Sequence, residues 1–193
     1  MTTQFNDRTT PASLLATRRS GKARDMVEPG PSAAELDIML ATAARVPDHG
    51  KLAPWRFVTI AADRRAAFAD VLEAAYRVDK PDPGRVELAA VRDFAAQAPA
   101  LVVVLSVPVD SHIPRFEQEL SAGGVCTMLC AAASAQGYVA NWLTGWAAYS
   151  PAVVAALGGP AGAKIAGFIF IGSPARALDE RPRPTLADIV RAW

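Results

Sequence analysis

From Ser121 to Ala163 the chain contains no Asp, Glu, Lys or Arg. An uncharged stretch of this length has to be shielded from water, either in a membrane or in a protein core. A membrane-spanning helix needs about 20 mainly apolar residues in succession. Here Gln136, Asn141 and Pro151 interrupt the run, and its apolar residues are mostly alanine rather than leucine. The stretch therefore predicts the buried core of a globular domain.

The beginning of this stretch belongs to a predicted helix over Phe116–Gln136, with Gly137 as its C-terminal cap. Beyond Gly123 the helix has no polar face, because residues such as Met128 and Leu129 surround its axis. A helix of this kind must be buried on every side. In so small a domain a subunit interface achieves this most easily, so we expect a homodimer.

Apolar runs and helical periodicities alternate along the chain. Strands are predicted over Trp55–Ile60, Leu101–Val107, Tyr138–Leu143 and Lys164–Ile171. Other helices are predicted from Thr10–Pro11 to Arg18, after the capping box Ser32–Glu35, over Asp63–Tyr76 and Arg85–Ala96, from Ser150–Pro151 to Gly158, and from Thr185 to Trp193. This order predicts one domain, residues 1–193, with helices covering a central sheet in an α/β or α+β sandwich.

The charges of the chain are balanced. There are 20 Lys and Arg against 19 Asp and Glu, giving a net charge of +1, and no block of like charge stands out. Proteins that bind nucleic acids or anionic membranes normally carry a basic patch. We therefore expect neither partner.

The two cysteines, Cys126 and Cys130, lie four residues apart in a predicted helix. This spacing does not suit a disulfide, and two thiols do not complete a zinc site in a chain whose only histidines are His49 and His112. We predict buried free thiols in a reducing compartment. Because the polar segment Met1–Thr10 lacks the apolar region of a signal peptide, we expect a cytoplasmic protein.

The first candidate site is Arg18–Gly21, just after a predicted helix end. Two guanidinium groups, the Ser20 hydroxyl and a nearby glycine suit a phosphate, because charge-assisted donors and a close backbone meet there. The alternative is a solvated basic turn.

The second candidate is the loop Arg45–Trp55, which carries the cations Arg45, His49 and Lys51 and is stiffened by Pro47 and Pro54. A stiff loop between a helix and a strand suits a binding site. The alternative is an ordinary connection in which Asp48 caps the local backbone and His49 is exposed.

The third candidate is Tyr138–Trp146, where a strand end carries two indoles and the Thr144 hydroxyl. These groups suit the face of a flat aromatic ligand, although core packing explains both tryptophans equally well. No dinucleotide fingerprint, Walker loop or nucleophile elbow is present. If the protein is an enzyme, we expect a cofactor to bring its reactivity.

Taken together, the segments resemble the nitroreductase superfamily, and within it the short branch of YdjA-like proteins. The matching segments follow the family's order and cover nearly the whole chain: Leu14–Ser20, Arg45–Val58, Pro114–Gly123, Ala135–Tyr138 and Gly167–Pro174.

The resemblance implies an α+β fold, a three-layer α/β/α sandwich with a central mixed sheet, in a homodimer that binds two FMN molecules at its interface. It implies that Arg18, Arg19 and Ser20 hold the FMN phosphate and ribityl chain. It implies that Arg45 and His49 contact the flavin from the facing subunit. Trp142, Leu143 and Thr144 match the loop that continues the flavin site. It also implies nicotinamide binding along Ala132–Gly137, and it brings Arg181 and Arg183 of the tail toward phosphate.

Three departures from the family pattern stand out. Lys51–Ala53 occupies the position where larger members carry two amide side chains, and Leu143 stands where the branch frequently has arginine. Gly123 and Gly124 lack the bulk that is usual at these positions. The departures leave FMN binding in place and the substrate open.

The resemblance implies an oxidoreductase that passes electrons from NAD(P)H to nitroaromatic, quinone or similar acceptors. A ping-pong hydride mechanism needs no catalytic protein nucleophile, only a cation near flavin N1 from Lys51, His49 or Arg19. Three alternatives stay open. They are another flavin reaction such as enone reduction, dehalogenation or oxidative flavin breakdown, a non-catalytic flavin-binding dimer, and an interaction protein without cofactor.

Overall fold

The computed structural model describes residues 5–193, so Met1–Gln4 of the polar N-terminal segment lie outside the described residues. Its helices are α1 (Pro11–Thr17), α2 (Ala33–Ala43), α3 (Arg65–Asp79), α4 (Arg85–Ala96), α5 (Arg115–Ala135), α6 (Pro151–Ala156) and α7 (Leu186–Ile189). Its strands are β1 (Met26–Val27), β2 (Trp55–Ile60), β3 (Ala100–Ser106), β4 (Val139–Leu143) and β5 (Lys164–Pro174). The predicted helices and strands all occur in the predicted order. The predicted capping box at Ser32 forms, and the predicted N-cap Thr10 also forms a capping box, with Ser13.

Strand β5 is the centre of the sheet. It pairs with β3 along one edge, and β2 pairs with the far edge of β3. The other edge of β5 pairs with β4 along residues 168–172 and with β1 along residues 173–174. Strand β1, which follows α1, and strand β4, which follows α5, therefore both lie against β5.

The predicted mixed sheet is wrong for the described strands, because all four pairings are antiparallel. Between β2 and β3 the chain makes two helices, α3 and α4, which run antiparallel: Arg92 contacts Asp70, and Glu87 contacts Tyr76. This excursion returns the chain to the end of β2 that it left. Parallel pairing would instead need a crossover to the opposite end.

Helices cover both faces of the sheet, which confirms the three-layer α+β sandwich. Successive residues of β3 alternate between two cores, with Val103 in the core under α3 and α4 and Val102 in the core under α2 and α5. Phe168 and Ile169 of β5 divide in the same way. Strand β3 is thus buried on both faces, as its unbroken apolar run predicts.

Helix α5 is buried on one face only within the single chain. Val125, Cys126, Leu129 and Cys130 pack against the sheet, and the two thiols are free and buried as predicted. The opposite side, which we call the outer face of α5, carries the apolar side chains Phe116 and Leu120 together with Thr127, whereas Met128 is half-buried and packs against the core. Phe116 is 68% exposed and Leu120 is 58% exposed. Burial on every side therefore needs a partner, and the homodimer stays a prediction.

Two elements, β1 and α7, differ from the prediction. Strand β1, which the sequence analysis did not predict, has two residues and forms because β5 continues beyond Ile171 to Pro174 and offers it an edge. The last helix ends at Ile189 rather than Trp193, since its apolar residues have no core to pack on and Trp193 is fully exposed. Within residues 5–193, no helix combines the length and apolar character that crossing a membrane requires.

One buried cation ties two connections of the fold together. The guanidinium of Arg65 donates to the backbone carbonyls of Ile60 (3.0 Å), Ala95 (2.8 Å), Gln97 (3.1 Å) and Pro99 (3.4 Å). Burial lowers the pKa of Arg65 to about 10, so the side chain stays protonated at neutral pH. It joins the end of β2 to the turn between α4 and β3.

Replacing Arg65 with Met should destabilise the fold, because buried carbonyls lose their donors. We expect a loss of roughly 2–5 kcal/mol in the free energy of unfolding, measured by urea denaturation followed by circular dichroism. The neighbouring Arg64→Met provides the control, since Arg64 is exposed, and should change stability by less than about 0.5 kcal/mol. Equal stabilities for the two variants would contradict this role of Arg65.

Candidate functional site

The segment after α1 is held in an extended conformation by a side-chain clamp. Asn6 accepts a hydrogen bond from the backbone N–H of Arg19 (2.8 Å) and donates to the carbonyl of Arg19 (3.2 Å). Arg18 ends the helix with an extended backbone, and its guanidinium lies 3.5 Å from the Ser20 hydroxyl oxygen. The backbone of Arg19 is therefore fixed, and the side chains of both arginines extend from this short segment.

The two guanidinium groups have different surroundings. The Nε of Arg19 donates to the carbonyl of Asp179 and lies 4.0 Å from the Glu180 carboxylate, so the tail already holds this side chain. Arg18 extends toward buried Cys130. Burial raises the pKa of the Cys130 thiol to about 11, while the charge of Arg18 acts in the opposite direction. Of the two arginines, Arg18 has more of its hydrogen-bonding capacity open to a ligand.

A cavity of about 380 Å³ brings the first and third candidate segments together. It is lined by Arg19–Lys22, by Asn141–Leu143 of β4, and by Arg181 of the tail. The three contributions are far apart in sequence and meet because β4 and the tail both pass the segment that follows α1. The predicted residues Arg19, Ser20, Trp142 and Leu143 all line this cavity.

Apart from Arg181, the other predicted residues, Arg18 among them, do not line this cavity. Thr144 lines a separate, mainly apolar cavity of about 310 Å³ under α3 and α4, together with Trp146 and Phe94. Arg183 lies 4.0 Å from the Glu180 carboxylate and does not line the site cavity. The helix end Ala132–Gly137 does not line it either, and three of its residues are buried. Ala135 and Gly137 are exposed but lie outside this cavity, so the nicotinamide assignment stays a prediction.

Trp142 forms the wall of the cavity nearest α5. Its indole N–H donates to the carbonyl of Ala166 (3.0 Å), and the ring lies against Gly167, where a Cβ atom would be 2.1 Å from the indole nitrogen. A Cβ at Gly123 would be 4.0 Å from the far edge of the same ring. The indole thus crosses β5 and reaches α5, and 40% of Trp142 is exposed. This arrangement requires glycine at position 167.

The second candidate loop is ordered by its own polar groups. The Asp48 carboxylate accepts from the backbone N–H groups of Leu52 (3.2 Å) and Ala53 (2.8 Å). The Trp55 indole donates to Ser121 of α5 (3.2 Å). Lys51 and Ala53 have left-handed backbones, with φ values of 57° and 45°. Strained non-glycine residues of this kind persist where the surroundings fix them, and they concentrate at functional sites.

His49 and Arg45 do not meet the cavity within one chain. Arg45 lies on the surface after α2, and His49 is exposed with its Nδ1 2.7 Å from the Glu117 carboxylate of α5. Glu117 thus holds the His49 ring through Nδ1, while 63% of the His49 side chain is exposed. The local capping by Asp48 and the exposure of His49 also match the alternative interpretation of this loop. A contribution from the facing subunit therefore stays a prediction.

Known proteins resemble this chain over most of its length. The model of the nitroreductase family matches residues 15–173. YdjA of Escherichia coli strain K12, provisionally named an NAD(P)H nitroreductase, is 35% identical over 162 residues, which is 83% of this chain and 86% of YdjA. The chain belongs to the nitroreductase family.

Solved structures agree with this family in their fold. A nitroreductase-like protein from Bacillus cereus superposes with a TM-score of 0.79 at 20% identity, covering 97% of each chain. A variant of NfnB, an FMN- and NADPH-dependent nitroreductase from a sphigopyxis strain, superposes with a TM-score of 0.73 at 18% identity. That match covers 95% of this chain and 99% of NfnB.

Sequence reasoning missed several residues of this nitroreductase site. Lys22 lines the cavity directly after the predicted Arg18–Gly21 segment, and Glu117 orients His49 from the start of α5. Asn141 lies inside the third candidate segment, Tyr138–Trp146, but has no predicted role there, although it lines the cavity. A polar residue inside an otherwise apolar strand is the signal that points to it. Among the described residues, no cluster of His, Cys, Asp and Glu suits a metal ion.

Proposed function

We propose that this protein is an FMN-dependent oxidoreductase that passes electrons from NAD(P)H to nitroaromatic compounds, quinones or similar small organic acceptors. The observation that carries the proposal is the cavity between Arg19–Lys22, Asn141–Leu143 and Arg181. It places cations and a hydroxyl beside an indole, the groups that a phosphate attached to a flat aromatic ring requires. Membership of the nitroreductase family supports the same function.

The donor set fits FMN rather than FAD. Arg18 and Ser20 present a charged donor and a hydroxyl at one place, which suits a single terminal phosphate. The glycine-rich turn that cradles a dinucleotide pyrophosphate is absent from the sequence. The carboxamide oxygen of Asn141 in the cavity wall is buried without a partner among the described residues, as expected where a ligand supplies a donor.

When bound, FMN supplies the hydride chemistry of a ping-pong cycle in which NAD(P)H and the acceptor react in turn. The protein's own contribution is binding, orientation and charge. A cation beside the ring stabilises the negative charge that develops on it. The tail already holds Arg19, whereas Lys51 is exposed and makes no ion pair within residues 5–193. We therefore assign this role to Lys51 or His49 of the facing subunit.

The dimer is part of the proposal. The outer face of α5 exposes the apolar side chains Phe116 and Leu120, and a second copy of the same face would cover them. The strained loop that carries Lys51 and His49 contacts α5 through Ser121 and Glu117, so it borders this face. Two subunits meeting there would place each loop against the other's cavity. The buried free thiols fit a reducing compartment, and we propose the cytoplasm.

Replacing Arg18 with Ala should weaken FMN binding roughly ten- to a hundredfold, because a charge-assisted hydrogen bond is worth about 1.5–3 kcal/mol. Quenching of FMN fluorescence on titration with apoprotein measures this affinity. Saturating FMN should restore most of the NADPH turnover, since the phosphate contact is the same before and during the reaction. Arg24→Ala is the control, because Arg24 is exposed and does not line the cavity. This variant should bind FMN as the wild type does. Unchanged affinity in Arg18→Ala would contradict the assignment of the phosphate site.

Replacing Leu120 with Asp should abolish the dimer and the FMN sites. Leu120 is 58% exposed in the single chain, so the charge does not disturb the fold of the protomer but opposes burial in an interface. Sedimentation at micromolar concentration measures the state of association. Val86→Asp on α4 is the control, because Val86 is 83% exposed and lies far from the outer face of α5. A Leu120→Asp protein that stays dimeric with FMN bound would show that α5 is not the interface.

A further inference from the structure

The side chain of Asn141 is held in one orientation. Asn141 lies in β4 opposite Phe170 of β5, and its carboxamide nitrogen donates to the backbone carbonyl of Gly21. A backbone carbonyl only accepts hydrogen bonds, so the amide cannot flip without placing two oxygen atoms against each other. The carboxamide oxygen is therefore the atom left for another partner.

That oxygen is buried and has no hydrogen-bond partner among the described residues. A buried acceptor without a donor is unfavourable, and native proteins rarely retain one. Two other buried oxygens share this status, those of Ser106 and Ser150, but they belong to hydroxyl groups that can rotate to donate elsewhere, and neither residue lines the cavity. Of these three oxygens of the described residues, only that of Asn141 is a fixed acceptor on a residue that lines the cavity.

The chemistry of FMN limits which of its groups can donate a hydrogen bond to this oxygen. A phosphate ester at neutral pH is almost entirely an acceptor and so cannot donate to an amide oxygen. Asn141 is tied to Gly21, the residue directly after Ser20, so it lies next to the segment to which the phosphate is assigned. Hydroxyl groups are the donors that a sugar-alcohol phosphate carries closest to its phosphate.

We propose that the Asn141 carboxamide oxygen accepts a hydrogen bond from a ribityl hydroxyl of FMN, which makes Asn141 a determinant of specificity for the hydroxylated chain. This inference rests on the proposed function, because it names one more contact of the same site. The bond to Gly21 gives Asn141 a second task, since it fixes the turn that carries Ser20.

Measuring two ligands with both the wild type and Asn141→Ala separates the two tasks of Asn141. Dissociation constants are measured by fluorescence quenching for FMN and for an analogue that keeps the ring and phosphate but has hydrogen in place of each ribityl hydroxyl. Loss of the Gly21 contact in Asn141→Ala weakens both ligands alike. Loss of the hydroxyl contact weakens FMN only. We expect the preference for FMN over the analogue to be roughly three- to tenfold larger in the wild type than in Asn141→Ala.

A preference that is the same in both proteins would overturn the proposal while leaving FMN binding intact. The proposal would also be overturned if Asn141→Ala discriminated against the analogue as the wild type does but discriminated less against FMN methylated at ring N3. The contact of Asn141 would then be with the ring. Failure of the wild type to bind FMN would overturn both this inference and the proposed function. Thermal unfolding of the two apoproteins, followed by circular dichroism, establishes that Asn141→Ala is folded, and Asn141→Ser serves as a second variant if it is not.

Discussion

The pairing of β5 along both edges is the interaction on which the site depends. One edge carries β3, whose buried side chains divide between the two cores, and the other edge carries β4 and then β1. Because β1 follows the Arg18–Lys22 segment closely, its pairing with Pro174 and Ser173 brings that segment beside β4. The cavity is thus a consequence of sheet register rather than of any local motif.

Much of the fold follows from patterns that a sequence displays directly. Unbroken apolar runs indicate β3 and β5. The uncharged stretch indicates that α5 is buried, and within the single chain this holds for the face that packs on the sheet. Strand β1 has only two residues and no pattern, so it exists through the edge that β5 offers. The direction of β3 depends on how α3 and α4 pack, which no local signal contains.

The site was partly predictable for the same reason. Arg19, Ser20 and Trp142 carry chemistry that is visible in the sequence, and the structure brings them together. The proposed role of Asn141 rests on its carboxamide oxygen, which stays unpaired because the amide nitrogen donates to Gly21. This contact is visible only in the three-dimensional structure. His49 lies away from the cavity, and its predicted role requires a second chain. The proposed interface on the outer face of α5 and the proposed contribution of His49 to the facing subunit's site therefore depend on each other.

Anaerobic reduction of the FMN-loaded protein tests the central claim most directly. The visible absorption of the bound flavin is recorded while NADH or NADPH is added without oxygen, and then after addition of a quinone or nitroaromatic compound. The account predicts that at least one nicotinamide bleaches the flavin and that the acceptor restores its colour. A protein that binds FMN stoichiometrically but is bleached by neither nicotinamide would contradict the account, since it would hold flavin without exchanging electrons.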